Sequence, residues 1–164
     1  MNAELARFKE QMYVVSLDIK DKYYERALNK INELIQIYPN RPEIYYELGK
    51  FNYNNWDNES AEKNFLKALE VDPNYFPTYT QYALILIKDK RYKDAEIILN
   101  KSKKLKNKED SDIYFYLGML FQHQGNLDTA IEAYTQSLYY SINEAQIDSA
   151  MKFIKVCKEL RGWE

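Results

Sequence analysis

The side chains that most often carry out chemistry are few in this sequence. His123 and Cys157 are the only histidine and the only cysteine among the 164 residues. A Cys–His nucleophilic pair needs contact between the two groups and a third residue that orients the histidine. Nothing in the sequence supports either condition. Because a single cysteine cannot form an internal disulfide, Cys157 is expected to be a small apolar side chain on a helix face.

Carboxylates and glycines give no better support for a catalytic or cofactor site. The pairs Glu43–Glu47 and Asp110–Asp112 lack the second cluster of ligands that would complete a metal site. The four glycines, at positions 49, 118, 125 and 162, are too scattered for a phosphate-binding loop. The sequence therefore predicts a protein that is not an enzyme and binds neither metal nor cofactor.

Charge and hydropathy argue against nucleic acid and membrane as partners. The formal net charge is −2 and the pI is about 5.6, so there is no general attraction to polyanions. One basic run could reach phosphates, but it is expected to be solvated surface near a helix C-terminus, where positive charge is favourable. It consists of Lys101, Lys103, Lys104, Lys106 and Lys108. The longest uncharged stretches fall short of the roughly 20 apolar residues that span a bilayer. With no secretory signal in the first 20 residues, a cytoplasmic protein is expected.

Composition indicates how such a chain folds. Hydrophobic residues make up 46% of it, which excludes a disordered chain, and four Gly and four Pro leave few turn formers for a β fold. Residues 1–164 fit a single domain of long helices with brief connections.

An internal period dominates the sequence. Ala27, Ala61 and Ala95 lie 34 residues apart, and Ala130 follows after 35. Upstream of the last three alanines, a large residue is followed by a small one, in Leu48–Gly49, Tyr82–Ala83 and Leu117–Gly118. An aromatic residue precedes each of these pairs by three positions, namely Tyr45, Tyr79 and Tyr114. Self-similarity at this period is typical of stacked helical repeats.

These residues resemble the tetratricopeptide repeat (TPR) family, whose pattern places an aromatic, a Leu–Gly pair, an aromatic, an Ala, another aromatic and a late Pro in this order. The resemblance implies an all-α fold, a right-handed superhelical α-solenoid of about four helix-turn-helix repeats. The repeats are expected at residues 9–41, 42–75, 76–110 and 111–142, with a capping helix at 143–161. In the first copy, Met12, Val15, Ser16 and Ile19 fit the family pattern best if the turn is one residue shorter than in the others, so this copy is atypical.

In stacked repeats of this family the first helix of every pair lines a concave groove, and the resemblance assigns groove positions here. Most of these positions hold aromatic, aliphatic or amide side chains. They are Tyr13, Leu17, Tyr46, Glu47, Lys50, Tyr53, Asn54, Gln81, Leu84, Ile87, Lys88, Phe115, Tyr116, Met119, Gln122 and His123. Exposed apolar side chains in a groove imply a partner peptide or helix with apolar anchors. Leu17, Leu84 and Ile87 could equally be buried between helices.

Family members that hold acidic chaperone tails use Lys, Asn and Arg as a two-carboxylate clamp. The corresponding positions here are occupied by Tyr13, Leu17, Glu47, Pro77 and Gln81, so the clamp is absent. The resemblance therefore implies an adaptor or chaperone-like protein that binds a different kind of protein or peptide.

The C-terminal helix supports an alternative function. Ile147, Met151, Ile154 and Cys157 form the stripe expected to cover the end of the stack. A second apolar line remains, formed by Phe153, Val156, Leu160 and Trp163. The alternative is therefore a structural assembly subunit that self-associates, for example as a homodimer, through this helix.

Overall fold

The structure is a computed structural model that describes residues 3–106 and 110–162. Within these ranges all regular secondary structure is α-helical, and nine helices follow one another. They are α1 (Ala3–Lys20), α2 (Tyr24–Ile37), α3 (Pro42–Asn54), α4 (Asn58–Val71), α5 (Pro77–Lys88), α6 (Tyr92–Lys106), α7 (Ser111–His123), α8 (Leu127–Tyr140) and α9 (Glu144–Arg161). The order matches four helix pairs and a terminal helix, as the period predicts. Pro42 and Pro77 begin α3 and α5, where a missing N–H is tolerated.

The helices form two compact units, Met1–Thr78 and Tyr79–Glu164. In the first unit Phe8, Val15, Ile31, Leu34 and Ile44 build a buried core. In the second unit the buried cluster contains Ala130, Tyr134 and Cys157, which join α8 to α9. Each core lies along the apolar stripes of its own helices. One helix pair cannot bury both of its apolar sides alone, so each pair needs a neighbour.

The same left-handed turn joins the two helices of each pair. Its central residue is Lys22, Trp56, Lys90 or Gly125, with φ of 64°, 65°, 59° and 79° respectively. The residue after it donates its backbone N–H five residues back, as from Asp57 to the Asn52 carbonyl at 3.0 Å. This is the Schellman ending of a helix, in which glycine is the usual left-handed residue. Three of the four turns therefore place a non-glycine residue in a conformation that its Cβ disfavours.

The prediction of a shortened first turn is wrong. Tyr23 donates to the Asp18 carbonyl at 2.8 Å, which is the same bond that Asp57 makes to Asn52. The first and second copies are therefore offset by a constant 34 residues. Val15, not Ser16, occupies the position of Gly49, and it is completely buried. A valine fits there because the residue it faces in this core is Ile31, where the second copy has the larger Phe65.

Glycine is required where an aromatic ring of the second helix lies directly on the first helix. A Cβ added at Gly49 would lie 2.6 Å from Cδ1 of Phe65, and one added at Gly118 would lie 2.6 Å from Cδ1 of Tyr134. Both rings are buried in the core. The glycines therefore fix how closely α3 approaches α4 and how closely α7 approaches α8.

The stripe predicted to cover the end of the stack is only partly correct. Cys157 is completely buried and Ile154 is half-buried against the core of the second unit. Met151, however, is 57% exposed, and Ala150 is completely buried in its place. Small residues let α9 lie close to α8, so the buried face is rotated away from the larger Met151.

Candidate protein-binding surfaces

The predicted groove residues lie on the first helix of each pair, in both compact units. On α3 they form a group that we call the α3 surface, consisting of Tyr46, Glu47, Lys50, Tyr53 and Asn54. Asn54 is exposed and the other four are half-buried. The Tyr46 ring meets the Phe65 ring at 6.0 Å and the Tyr75 ring at 5.5 Å between centroids. Core contacts therefore hold Tyr46 in place while part of the ring stays open to solvent.

The charges of the α3 surface compensate one another. Lys50 Nζ donates to both carboxylate oxygens of Glu47 at 3.0 Å and lies 5.1 Å from the centre of the Tyr46 ring. Burial, with smaller contributions from Glu43 and Glu47, raises the pKa of Tyr75 to about 12. The Tyr75 hydroxyl therefore stays protonated at neutral pH.

On α7 the predicted residues form a second group, which we call the α7 surface. It consists of Phe115, Tyr116, Met119, Gln122 and His123. The Phe115 ring lies 5.8 Å from the Tyr116 ring, 5.6 Å from the Tyr134 ring and 5.7 Å from the Phe153 ring, between centroids. All four rings except that of the buried Tyr134 are half-buried. Phe115 is therefore the centre of an aromatic cluster with one side on the core and one side towards solvent.

Polar contacts hold this cluster in position. The Tyr134 hydroxyl donates to Oε1 of Gln122 at 2.8 Å. Burial raises the pKa of Tyr134 well above its ordinary range, so this phenol stays protonated and able to donate. Nε2 of Gln81, on α5, donates to the Tyr116 hydroxyl at 3.3 Å. Gln81 and Gln122 thus help to orient the aromatic side chains of Tyr116 and Tyr134.

Phe153 belongs to the second apolar line of α9 and also contacts the α7 surface. Its ring stacks on Tyr134 at 5.5 Å with an interplanar angle of 12°, and it also touches Phe115 of the α7 surface. Val156 is half-buried and Leu160 is 66% exposed on the same helix. Trp163 lies outside the described residues. Helical periodicity placed Phe153 and Leu160 on one line of α9, but it could not show that Phe153 packs beside α7.

The remaining predicted groove residues differ from one another in their exposure to solvent. Tyr13 and Leu17 on α1 are exposed; with the constant offset of 34, Tyr13 aligns with Glu47 and Leu17 with the buried Phe51. On α5, Leu84 is half-buried and Lys88 is exposed. Ile87 is only 1% exposed and belongs to the core, which was the alternative interpretation of that residue.

The single histidine and the single cysteine differ in their exposure to solvent. His123 is exposed, whereas Cys157 is completely buried and its burial raises the pKa of the thiol. A raised pKa leaves less of the nucleophilic thiolate. Across residues 3–106 and 110–162, no group of three or more His, Cys, Asp or Glu side chains could hold a metal ion. In the same ranges, no helix has the length and apolar character needed to cross a membrane.

Part of the lysine run makes specific contacts within the second unit. Lys103 Nζ donates to the Tyr114 hydroxyl at 2.6 Å, and Lys106 forms an ion pair with Asp110. Lys101 and Lys104 are exposed, and Lys108 lies outside the described residues. The contacts of Lys103 and Lys106 join the end of α6 to the start of α7.

Known proteins share this architecture. A family model described as the cilia and flagella-associated protein 70 middle TPR-like domain matches residues 4–149. MamA (41-end) from Desulfovibrio magneticus RS-1 is 22% identical, with a TM-score of 0.66 over 94% of each chain. PilF of Pseudomonas aeruginosa is 17% identical, with a TM-score of 0.81 over 94% of this chain and 68% of that one. A thermophilic TPR protein of Thermus thermophilus is 18% identical, with a TM-score of 0.74 over 88% of this chain and 79% of that one. None of the curated proteins matches. The match to the family model and the similarities to the solved structures confirm the predicted all-α solenoid of TPR repeats.

Proposed function

Because the chain belongs to the family of the cilia and flagella-associated protein 70 middle TPR-like domain, we propose that it is a non-enzymatic protein-interaction module. It binds a segment of a partner protein through apolar anchors, as an adaptor or chaperone-like protein of the cytoplasm. The observation that carries this proposal is the aromatic cluster around Phe115 on the α7 surface.

The cluster suits binding because its rings are already ordered. Phe115 and Phe153 each contact the buried Tyr134, so neither ring has to be immobilised when a partner arrives. Rigid aromatic side chains offer large contact areas at a small entropic cost, and they are enriched among the residues that dominate binding energies. A partner with an aliphatic or aromatic side chain would bury the open sides of these rings.

The α3 surface offers a similar, smaller platform. Tyr46 is fixed by Phe65 and Tyr75, and the neighbouring Glu47–Lys50 pair is charge-neutral. Such a surface has little to attract a strongly acidic tail. We expect it to accept an uncharged or mildly basic segment with apolar side chains.

The alternative function, self-association through Phe153, Val156 and Leu160, has less support. Phe153 packs against Phe115 and Tyr134, so it serves the α7 surface and leaves a smaller apolar area for a second copy.

Selection of peptides from a displayed random library against the wild-type protein tests the proposal. Selected peptides are expected to contain aromatic or large aliphatic residues, and their affinity can be measured by fluorescence anisotropy. Tyr116→Ala should raise their dissociation constant by about 30-fold, corresponding to about 2 kcal/mol for a central aromatic residue.

Tyr139→Ala is the matched control, because Tyr139 is 80% exposed on α8, a second helix. Its affinity for the selected peptides should equal that of the wild type. Circular dichroism confirms that both variants are folded. Equal weakening by the two substitutions, or tight binding of peptides without apolar residues, would show that the proposed surface is not the binding site.

A further inference from the structure

An apolar groove lies between α8 and α9, on the side of α9 that faces away from Phe153. It is open to solvent and has a volume of about 1000 Å³, and its lining includes Leu138, Met151, Ile154, Lys155, Lys158 and Glu159. We call it the α8–α9 groove. Met151 is 57% exposed within it. Leu160 lies nine residues further along, which is two and a half helical turns, so it is on the opposite side of α9.

The exposed side of α9 has the spacing of a helix–helix seam. Ile147, Met151, Ile154 and Lys158 follow one another at steps of four, three and four residues. Such alternation keeps one face of a helix against another helix over several turns. Ile147 and Ile154 are half-buried, so each presents only part of its side chain to a partner. The seam and the groove coincide at Met151 and Ile154.

Charge along this face is uneven. Its first half carries Glu144 and Asp148, whereas its second half carries Lys155, Lys158 and Glu159 and is basic on balance; all five are exposed. Lys155 and Glu159 also form an ion pair within α9, with 3.8 Å between Nζ and Oε1. A helix with the same sequence, running antiparallel, brings acidic residues opposite basic residues at both ends. In a parallel arrangement like charges would meet instead. The charge pattern therefore favours an antiparallel copy of α9 as the occupant.

We propose that two copies of this chain form a symmetric dimer in which antiparallel α9 helices occupy each other's α8–α9 grooves. In this arrangement Met151 of one copy meets Ile154 of the second copy, and Asp148 meets Lys155. Two-fold symmetry makes every such contact occur twice. The dimer uses a different face of α9 from the one that borders the α7 surface, so it does not depend on peptide binding.

The length of α9 limits the size of this interface. The 18 residues of α9 span about 27 Å at 1.5 Å per residue. One helix pair of this length buries less than the roughly 800 Å² per partner of a standard stable interface. The association is therefore reversible and visible as a change of mass between micromolar and millimolar concentrations. A net charge of −2 opposes it only weakly.

Sedimentation velocity over that concentration range tests the proposal with the full chain. The wild type is expected to shift from monomer to dimer. Met151→Glu should raise the dimer dissociation constant by about tenfold or more, because it places a charge in the apolar seam. Leu160→Glu is the matched control on the opposite side of the same helix and should leave the dimer intact. A wild type that stays monomeric, or a dimer lost in Leu160→Glu and kept in Met151→Glu, overturns the proposal.

A charge exchange tests the antiparallel orientation. Asp148→Lys and Lys155→Glu should each weaken the dimer by about tenfold, since each creates two like-charge contacts. The double variant restores the opposite charges and should return to within about threefold of the wild type. A double variant that is as weak as either single variant contradicts the pairing. Circular dichroism on every variant shows whether α9 remains helical, and peptide binding by Met151→Glu should remain normal.

Discussion

Replacing Gly118 with alanine should destabilise the second unit and damage the α7 surface together. The added Cβ would lie 2.6 Å, 2.7 Å and 2.8 Å from Cδ1, Cε1 and Cγ of Tyr134. The ring cannot simply turn aside, because it is completely buried, stacked on Phe153 and held by its bond to Gln122. Either α7 or the whole ring must move.

Two opposing effects determine the magnitude. Alanine gains about 1 kcal/mol over glycine within a helix. Overpacking of a well-ordered core costs about 1–3 kcal/mol. Because three ring atoms fall inside contact distance of the added carbon, we expect the upper part of that range and a net loss of about 1–2 kcal/mol. For a chain of this size, each kcal/mol lowers the melting temperature by about 2–4 °C.

Urea unfolding followed by circular dichroism measures the loss, and peptide affinity should fall with it because Tyr134 supports Phe115 and Phe153. In a Tyr134→Leu background the clashing ring atoms are gone, so Gly118→Ala should become neutral or slightly stabilising. Gly125→Ala is the control: nothing lies within 4 Å of its added Cβ, but its φ is +79°. Its cost should be the same in both backgrounds. Additive costs for Gly118→Ala and Tyr134→Leu would refute the reasoning.

Three further predictions concern single residues. Trp56→Gly should stabilise the protein by about 0.5–1 kcal/mol in urea unfolding, since it relieves a left-handed φ of 65° at a side chain that is 89% exposed; a lower stability would contradict this. The Arg26 side chain, through its hydrogen bonds to Asp18, lowers the pKa of that carboxyl. The ionised Asp18 carboxylate therefore stabilises the folded protein above about pH 4, and this contribution is lost as the pH falls. Asp18→Asn should remove this part of the loss of stability in acid. If the pH profile of the free energy of unfolding is unchanged in this variant, the Asp18 contribution is excluded. Burial raises the pKa of Tyr75 to about 12. The contribution of the protonated Tyr75 phenol to the stability of the fold is therefore complete below about pH 10 and is lost at higher pH. Tyr75→Phe should flatten the stability profile in this range and remove one phenol that titrates near pH 12 by absorbance; an unchanged profile would contradict the assignment.

The helix pairs could be predicted from the sequence because their spacing depends on local chemistry. Small residues at Gly49, Ala61 and Gly118 recur wherever helices must lie close together, and one period locates all of them. A small residue is not needed at Val15, because the side chain that faces this position decides which residue fits. Val15 therefore takes the place of a small residue, because the opposite helix presents Ile31 there.

The candidate surfaces could be predicted only in part. Family positions selected Phe115 and Tyr116, which the structure brings together, and they missed the role of Phe153. A helix has one period whichever neighbour it packs on, so sequence alone could not assign Phe153 to the α7 surface. For the same reason Met151 was expected to face the stack, whereas the close packing of Ala150 turns it towards solvent.

Photo-crosslinking tests most directly whether a partner segment binds to the first helices. A selected peptide that carries a photoreactive phenylalanine at its apolar position is irradiated with the wild-type protein, and mass spectrometry locates the attached residues. Attachment to α3, to α7 or to the Phe153 side of α9 is the predicted result. Attachment confined to the exposed faces of α4, α6 or α8 would contradict the account.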